Sequence, residues 1–328
     1  MLMASKVFIS RRIPQKGVDI LRNAGLEVKV WGSSIPPTNQ ELSEHAANAD
    51  ALICMLSDAI DEPFLLKNKH LKVISNYAVG FNNININVAT NLGIAVGNTP
   101  EVLTDATADF AFALMLGVAR KLLEGNRTIL DGKWKNWEPM GHLGLEIKNR
   151  TLGIVGMGRI GQEMAKRCFG AYNMKILYHS NTPKPEAEKN LNAKKVTFDE
   201  LLANADVVSV HCSLNEKTRN LFNEEAFAKM KRNAIFINTA RGEVHDQAAL
   251  TKALQKGQIW GAGLDVTNPE PMQPNDTLFH LPNVLITPHI GSATIETRTD
   301  MASIAALNII RGLNKDRLLG FVNPEVYK

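Results

Sequence analysis

Three side chains in the second half of the sequence have the chemistry needed to bind and protonate an acidic substrate. Arg241 lies in the motif N-T-A-R-G, Glu270 in N-P-E-P and His289 in T-P-H-I-G-S, and each motif follows an apolar run typical of a buried strand. Arginine can bind a carboxylate through two parallel hydrogen bonds and so orient a 2-oxo acid. Histidine can donate a proton near neutral pH, and a carboxylate bonded to its other ring nitrogen would fix the tautomer and favour the protonated form.

Each of these residues also has an ordinary structural interpretation. An arginine–glycine pair after a strand is often a solvated turn, a glutamate between two prolines can lie in a rigid surface loop, and a histidine can be a core residue with satisfied hydrogen bonds. The functional interpretation gains weight because all three residues leave strands on one edge of the same predicted domain. The other histidines lack this context, and the sequence has no H-E-x-x-H or comparable metal-binding spacing.

A glycine motif between a strand pattern and a helix pattern indicates which ligand this domain binds. Residues 151–161 read T-L-G-I-V-G-M-G-R-I-G, in which Gly156, Gly158 and Gly161 fit G-x-G-x-x-G. The first glycine permits a tight turn, the second lets the backbone approach a pyrophosphate, and the third lets helix and strand pack closely. The unpaired N–H groups of the helix start then face the phosphates. The motif predicts a dinucleotide site in this context, with an ordinary glycine turn as the alternative.

The segment after the next predicted strand, Met174–Tyr178, bears on the choice between NAD and NADP. In NAD sites a carboxylate about 20 residues beyond the glycines binds the ribose 2′-hydroxyl. Here the first carboxylate after that strand is Glu186, so a 2′-phosphate is not repelled. Four polar residues are placed to hold that phosphate: Ser180, Asn181, Thr182 and Lys184. We therefore predict NADP as the cofactor, and NAD stays possible because no arginine is present to decide.

Composition and charge limit the classes of protein to which this chain can belong. The chain has 328 residues, 45% hydrophobic and 21% charged, with a formal net charge of +4, which is typical of a globular protein of two domains. No basic stripe interleaved with aromatics is present, so nucleic-acid binding is not predicted. The longest apolar run, Phe110–Ala119, is too short to span a membrane. Cys54, Cys168 and Cys212 form no disulfide pattern, which favours a reducing, cytoplasmic location.

Strand and helix patterns alternate in the first third of the chain, which predicts a parallel sheet with helices on both faces. The predicted strands are Lys6–Ser10, Glu27–Trp31, Ala51–Met55 and Lys72–Ser75, and the predicted helices are Pro14–Ala24, Asn39–Ala47 and Pro63–Lys67. Ligands bind beyond the carboxyl ends of such strands, so Leu56, Val79 and Gly80 are candidate substrate contacts. A turn that needs Gly80 only for its backbone is the alternative.

The remaining elements predict a second domain and a return to the first. Residues 101–131 are predicted to form one long helix or two, apolar nearly all round. We expect this segment to cross between the domains and pack against a second subunit, with a helix buried within one domain as the alternative. From Thr151 the alternation restarts, and a final helix at Glu296–Arg311 has no sheet of its own. We therefore predict an α/β protein of two doubly wound parallel-sheet domains. Residues 100–292 form a Rossmann dinucleotide-binding domain, and residues 1–99 with 293–328 form a discontinuous, flavodoxin-like substrate-binding domain.

Taken together, these motifs resemble the D-isomer-specific 2-hydroxyacid dehydrogenase family, most of all its glyoxylate/hydroxypyruvate reductases. The resemblance covers nearly the whole chain, and its motifs occur in the family's order. They are N-Y-A-V-G-F-N-N-I at Asn76–Ile84, N-T-P-E-V-L-T-D-A-T-A-D at Asn98–Asp109, G-M-G-R-I-G, N-T-A-R-G, G-L-D-V-T-N-P-E-P at Gly263–Pro271 and P-H-I-G-S-A-T at Pro288–Thr294. The resemblance implies reduction of glyoxylate or hydroxypyruvate to the 2-hydroxy acid with NAD(P)H.

The resemblance also implies a role for each matching residue. Arg241 would bind the substrate carboxylate and carbonyl, His289 would donate the proton, and Glu270 would be its partner. The implied substrate contacts are Leu56, Val79, Gly80, Arg241, His289 and Ser292. The implied cofactor contacts are Thr104, Gly156, Gly158, Arg159, Ile160, Gly161, Ser180, Asn181, Thr182, Lys184, Ser213, Thr218, Thr239, Asp265 and Gly291. A homodimer built on the helix after Pro100 is implied as well.

Other functions share this pattern. A dinucleotide-sensing, corepressor-like interaction protein would carry the same fold and the same three residues, and D-lactate and phosphoglycerate dehydrogenases belong to the same family. Two positions also depart from relatives. Asn181 stands where NADP-using relatives often carry arginine, and Gly141 stands where the mammalian reductases carry a tryptophan that reaches the neighbouring subunit's active site. The preferred 2-oxo acid therefore stays open.

Overall fold

The computed structural model describes residues 4–328 and divides into two compact units. Unit 1 comprises the residues up to Leu103 together with Ala293–Lys328, and unit 2 comprises Thr104–Ser292. In chain order the strands are β1 (Lys6–Ile9), β2 (Glu27–Val30), β3 (Ala51–Cys54), β4 (Val73–Asn76), β5 (Ala95–Gly97), β6 (Thr151–Val155), β7 (Lys175–His179), β8 (Lys194–Lys195), β9 (Val207–Val210), β10 (Ile235–Asn238), β11 (Gly261–Leu264) and β12 (Val284–Ile286).

The α-helices alternate with these strands in both units, apart from two consecutive helices at the start of unit 2 and a short 3₁₀ helix, Thr277–His280, in place of an α-helix between β11 and β12. They are α1 (Gln15–Asn23), α2 (Asn39–Ala46), α3 (Glu62–Lys67), α4 (Ile86–Asn91), α5 (Thr104–Ala119), α6 (Leu122–Leu130), α7 (Arg159–Tyr172), α8 (Pro185–Leu191), α9 (Phe198–Asn204), α10 (Glu224–Lys229), α11 (Gln247–Gln255) and α12 (Ile295–Leu313). Among residues 4–328, none of these helices is both long enough and apolar enough to cross a membrane.

Unit 1 is a five-stranded parallel sheet in the order β2-β1-β3-β4-β5, the flavodoxin-like order. The last helix, α12, packs on α1 and on the sheet. At Gly17 of α1 an added Cβ would lie 2.8 Å from the Ala302 carbonyl oxygen, and at Gly312 of α12 it would lie 2.5 Å from Val73 Cγ2. Both glycines therefore let α12 approach closely, and the chain's end completes the first unit's core.

Unit 2 is a seven-stranded parallel sheet in the order β8-β7-β6-β9-β10-β11-β12, a Rossmann order extended by one strand. The register aligns the carboxyl ends of its central strands: Val155 pairs with both His179 and Val210, and Asn238 pairs with both Val210 and Leu264. The segments that follow these strands therefore leave the sheet at one level of its carboxyl edge. The prediction of two doubly wound α/β units, one of them discontinuous, is confirmed.

The segment expected to form one or two helices forms two, and it begins later than expected. Glu101 lies outside α5 with a φ of 73°, and Lys121, with a φ of 52°, separates α5 from α6. A left-handed residue cannot continue a right-handed helix, so the break falls there. The helix α5 buries its small and apolar side chains within unit 2, and Ala108, Ala111 and Met115 are fully buried.

Two regular elements of unit 1 were not predicted from the sequence. The strand β5 has three residues and α4 has six, which are lengths at which periodicity carries little signal. Asn85 caps α4 by accepting a hydrogen bond from the Val88 N–H, and β5 joins the sheet beside β4.

Candidate functional site

The glycine loop of unit 2 has the geometry of a phosphate-binding turn. Gly156 has a φ of 96°, and an added Cβ there would lie 2.4 Å from the Cys212 nitrogen. At Gly161 a Cβ would lie 2.5 Å from the Gly156 carbonyl oxygen, whereas at Gly158 it would meet nothing within 4 Å. The loop therefore has no room for a side chain at Gly156 and Gly161, whereas the space beside Gly158 is free for a ligand.

Helix α7 begins directly after this loop. Gly158 is its N-cap residue, and no side chain caps the helix, so the start of α7 offers N–H groups and the positive end of the helix dipole to an anion. Arg159 and Ile160 are the first two residues of the helix. These features fit the pyrophosphate of a dinucleotide.

The strands beside the glycine loop add further predicted cofactor contacts. Thr239, after β10, is 9% exposed, and its hydroxyl has no hydrogen-bond partner among the described residues, as expected for a group that faces a ligand. Ser213 is exposed in the loop after β9. The Thr218 hydroxyl instead holds that loop, because it donates to the Ser213 carbonyl oxygen at 2.7 Å and accepts from the Asn215 N–H at 2.8 Å. Thr104 is half-buried at the start of α5.

The loop after β7 carries the residues predicted to hold a 2′-phosphate. Asn181 and Thr182 are exposed, and Ser180 and Lys184 are half-buried. The buried Tyr178 anchors the loop, because its hydroxyl oxygen accepts a hydrogen bond from the Lys184 N–H at 2.9 Å.

A cation that the sequence did not reveal lies at the same loop. Lys195 Nζ donates to the Asn181 carbonyl oxygen at 3.3 Å from the two-residue strand β8, which pairs with β7. Only the strand pairing brings Lys195 to this loop, so no local motif could have indicated it.

Asp265, predicted to line the cofactor site, holds the turn that carries His289. Its buried carboxylate accepts hydrogen bonds from the Thr287 hydroxyl at 2.7 Å, the Ile290 N–H at 2.8 Å and the Gly291 N–H at 2.7 Å. Burial raises the pKa of Asp265, and these three bonds oppose the rise. The carboxylate thus has three donors from one turn, and Gly291 leaves it room because a Cβ there would lie 2.9 Å from Asp265 Oδ2.

The structure brings His289 and Glu270 together. His289 Nδ1 lies 2.6 Å from Glu270 Oε1, so this ring nitrogen donates to the carboxylate and Nε2 is left for another partner. The backbone of His289 has a φ of 55°, and its N–H donates to the Asp265 carbonyl oxygen at 3.0 Å. Non-glycine residues in this left-handed region are uncommon and cluster at functional sites.

Arg241 lies on the same edge of unit 2. Burial lowers the pKa of its guanidinium, and the negative charges of Glu270 and Glu243 oppose that shift. Its Nη1 donates to the Ala240 carbonyl oxygen at 2.7 Å. A cation, an imidazole and a carboxylate therefore leave neighbouring strand ends of one sheet. Ser292, the last residue of unit 2, is half-buried close behind the His289 turn.

In unit 1 the predicted substrate contacts lie at the carboxyl edge of its own sheet. Asn76 Nδ2 donates to the Gly80 carbonyl oxygen at 2.7 Å, and Asn98 Nδ2 donates to the Val79 carbonyl oxygen at 2.8 Å. The N–H groups of Val79 and Gly80 donate no hydrogen bond within residues 4–328. Two adjacent free N–H groups on a fixed loop can bind a carboxylate. The two asparagines were not predicted as site residues.

Leu56 lies in the loop after β3 and is half-buried. The carboxylate of Asp58, 3% exposed, holds this loop by accepting a hydrogen bond from the Met55 N–H at 2.8 Å, and Arg11 pairs with it at 3.2 Å. Within residues 4–328, no group of three or more histidines, cysteines and carboxylates could hold a metal ion.

Comparisons with known proteins show what this chain is similar to. Residues 112–291 match the family model described as D-isomer specific 2-hydroxyacid dehydrogenase, NAD binding domain. The glyoxylate reductase of Thermococcus litoralis is 46% identical over 328 residues, which cover 99% of this chain and 98% of that protein.

Two solved structures extend the comparison to the fold. The crystal structure of TT0316 protein from Thermus thermophilus is 45% identical, with a TM-score of 0.91 and coverage of 97% of this chain and 99% of its own. The NADPH-dependent glyoxylate/hydroxypyruvate reductase of Sinorhizobium meliloti, in complex with NADP and malonate, is 26% identical, with a TM-score of 0.84 and coverage of 98% of both chains.

The fold and the glycine loop define the class of protein as an oxidoreductase that uses a nicotinamide dinucleotide. The chain belongs to the D-isomer-specific 2-hydroxyacid dehydrogenase family. The family resemblance drawn from the sequence is confirmed.

Proposed function

We propose that this protein reduces a small 2-oxo acid, glyoxylate or hydroxypyruvate, to the 2-hydroxy acid, with NADPH as the preferred reductant. The observation that carries the proposal is the His289–Glu270 pair, which lies on the same sheet edge as Arg241 and the glycine loop. The glyoxylate reductase of Thermococcus litoralis, similar over its whole length, supports the choice of substrate class.

The chain's own residues divide the work of such a reaction. When bound, the dinucleotide supplies the hydride that adds to C2 of the oxo acid. Arg241 binds the substrate carboxylate and polarises the carbonyl. The free N–H groups of Val79 and Gly80, at the edge of the unit 1 sheet, are donors of the kind that bind a carboxylate. His289 delivers a proton from Nε2 to the carbonyl oxygen as negative charge develops there. Glu270 accepts from Nδ1 and stabilises the imidazolium that donates that proton.

The preference for NADPH rests on the loop after β7. The loop offers hydroxyl, amide and ammonium groups and has no carboxylate between Ser180 and Lys184. Lys195 adds a second cation through its contact with Asn181. An anionic 2′-phosphate would find complementary charge here, and the Sinorhizobium meliloti enzyme, which is described as NADPH-dependent, supports the same cofactor.

Steady-state kinetics of the purified protein tests the reaction. We expect turnover of glyoxylate or hydroxypyruvate and a kcat/KM about tenfold or more in favour of NADPH over NADH. Binding of NADPH without reduction of any small 2-oxo acid would instead favour the dinucleotide-sensing alternative. A tenfold preference for NADH would overturn the cofactor assignment and leave the reaction in place.

Equilibrium binding tests the role of Lys195 without turnover. Lys195→Ala should weaken NADP⁺ binding about tenfold and leave NAD⁺ binding unchanged, because only NADP⁺ carries the 2′-phosphate. Lys194→Ala is the matched control, since successive side chains of a strand point to opposite faces and Lys194 lies on the other face of β8.

We also propose that the protein acts as a cytoplasmic homodimer. The segment after α5 exposes large apolar side chains that a monomer seldom leaves in water, among them Leu130 at 76%, Trp137 at 81% and Met140 at 77%. A second copy of the chain would cover them, and sedimentation of the purified protein at twice the 36.1 kDa of one chain would support this. The three cysteines are free, in keeping with a reducing compartment.

A further inference from the structure

The last residue of β10 is tied to the turn that carries Arg241. Asn238 is fully buried, and its Oδ1 accepts a hydrogen bond from the Ala240 N–H at 2.9 Å. Its Nδ2 donates to the Arg241 carbonyl oxygen at 2.8 Å and also bonds His245 Nδ1 at 3.0 Å. Both N–H groups of the amide and its oxygen are therefore used, and the backbone on both sides of the arginine turn is held by one side chain.

His245 supplies the acceptor that completes this arrangement. Its ring is fully buried and lies edge-on to Phe236, with 5.8 Å between the ring centroids. Because Nδ1 accepts from Asn238, the ring is neutral and carries its proton on Nε2. That Nε2 has no partner among the described residues, so the side chain leaves one donor buried and unpaired. Such a cost in stability is typical of residues kept for function.

The arginine turn is also closed on its other side. An added Cβ at Gly242 would lie 1.9 Å from the Thr267 carbonyl oxygen, so the turn lies directly against that residue. The Thr267 hydroxyl in turn donates to the Pro269 carbonyl oxygen at 2.9 Å, next to Glu270. The position of the arginine turn is therefore fixed from the His245 side and from the segment that leads to Glu270.

We propose that His245 is a positioning residue for Arg241 and acts through Asn238. Its Nδ1 fixes the amide of Asn238, and that amide sets the backbone on which the guanidinium is mounted. Without the acceptor, one N–H of Asn238 is buried and unpaired, so the amide orientation that bonds the Arg241 carbonyl oxygen is less favoured and the turn is held less firmly. This inference rests on the proposed function of Arg241 in binding the substrate carboxylate.

Two substitutions at His245 separate this role from simple packing. His245→Leu fills the site but offers no acceptor, whereas His245→Asn places a carbonyl oxygen near the position of Nδ1. His245→Leu should raise the KM for glyoxylate about tenfold and should change kcat and the Kd for NADPH much less. The Kd is measured by NADPH fluorescence. His245→Asn should recover most of the loss. Arg241→Lys sets the upper limit of the KM effect, because an ammonium cannot reproduce the bidentate fork.

A neighbouring core variant controls for lost stability. Phe222 is fully buried in contact with Phe236 and makes no hydrogen bond to Asn238, so Phe222→Leu should lower the Tm and leave the KM unchanged. An unchanged KM in His245→Leu, or an equal rise in Phe222→Leu, would overturn the proposal.

Hydrogen exchange read by mass spectrometry makes the test independent of turnover. Peptides covering residues 239–244 should exchange faster in His245→Leu than in the wild type, and peptides covering the glycine loop should not change. If peptides covering residues 239–244 exchanged at the same rate in His245→Leu and in the wild type, the positioning role would be overturned. If the wild type reduces no 2-oxo acid but the exchange difference is present, the proposed function fails and the local role of His245 stands.

Discussion

Three groups hold His289: the Glu270 carboxylate, the Asp265 carboxylate and the Asp265 backbone carbonyl oxygen. The first acts on the imidazole ring, and the other two act on the backbone of the turn. Glu270 binds Nδ1 and so leaves Nε2 as the ring nitrogen available to a substrate. Asp265 holds the turn through its side chain, and its backbone carbonyl oxygen accepts from the His289 N–H. The positive φ of His289 is thus enforced by its neighbours, as expected where backbone strain serves a site.

The division of roles between His289 and Glu270 can be measured. His289→Gln should lower kcat by about 10²- to 10⁴-fold and leave the Kd for NADPH nearly unchanged, because it removes the proton donor and no cofactor contact. Glu270→Gln should lower kcat by less than His289→Gln does, because the proton donor is kept but an amide stabilises the imidazolium less than a carboxylate does.

The control for this experiment is the Kd for NADPH, which should be nearly the same in all three proteins. An unchanged kcat in Glu270→Gln would show that Glu270 does not assist the histidine as a proton donor. The hydrogen bond between the two would then serve only to orient the ring.

At the scale of elements, each unit ends a central strand with an asparagine that holds the following loop, which we propose to bind substrate. Asn76 ends β4 and donates to Gly80, and Asn238 ends β10 and donates to Arg241. In both cases a buried side chain binds a carbonyl oxygen three or four residues further on. The loop is thereby fixed to the most rigid part of the sheet, which is what a preorganised site requires.

We expect the loop at Val79 and Gly80 to bind substrate less well when the hydrogen bond from Asn76 Nδ2 is lost. Asn76→Asp keeps the size of the side chain but places a carboxylate against the Gly80 carbonyl oxygen, which repels it. The KM for glyoxylate should rise about tenfold while the Kd for NADPH stays constant, because the cofactor contacts that we propose lie in unit 2. Asn98→Asp should have a similar effect through Val79.

Asn48→Asp is the matched control, since Asn48 is exposed and its side chain donates to the Glu44 carbonyl oxygen within the same helix region of unit 1. A rise in KM in that variant would show that added negative charge, not the lost donor, causes the effect. Unchanged KM values in both Asn76→Asp and Asn98→Asp would contradict a role for the loop in binding substrate.

The parts of this molecule that were predictable from sequence are those encoded locally. Apolar runs predicted most strands, and the glycine loop with its flanking patterns predicted the start of unit 2. The contacts of Lys195, Asn98 and His245 were not predictable in the same way. Lys195 reaches Asn181 only because β8 pairs with β7, and Asn98 reaches Val79 across 19 residues of chain. Such contacts depend on strand pairing and loop path, which no periodicity encodes.

At the scale of the whole molecule, buried neutral histidines make stability depend on pH. Burial lowers the pKa of His245 to about 4, whereas an unfolded chain holds histidine near about 6.5. Between these values the unfolded state binds a proton that the folded state does not, so stability falls as the pH falls through this window. The contribution of His245 is complete above about pH 6.5 and is lost progressively toward pH 4.

Substituting this histidine should therefore make the protein less sensitive to acid. From pH 7 to pH 5 the wild type should lose about 2 kcal/mol through His245 alone, which corresponds to about 4–8 °C in Tm for a unit of this size. The asparagine of His245→Asn does not titrate, so between pH 7 and pH 5 the Tm of this variant should fall by about 4–8 °C less than the Tm of the wild type. His280→Asn, which changes an exposed histidine, is the control and should lose as much Tm as the wild type. Thermal unfolding of the three proteins at both pH values measures the difference. Equal losses in the wild type and His245→Asn would mean that the buried ring takes up its proton without unfolding, and the bond from Asn238 would then break inside the folded protein.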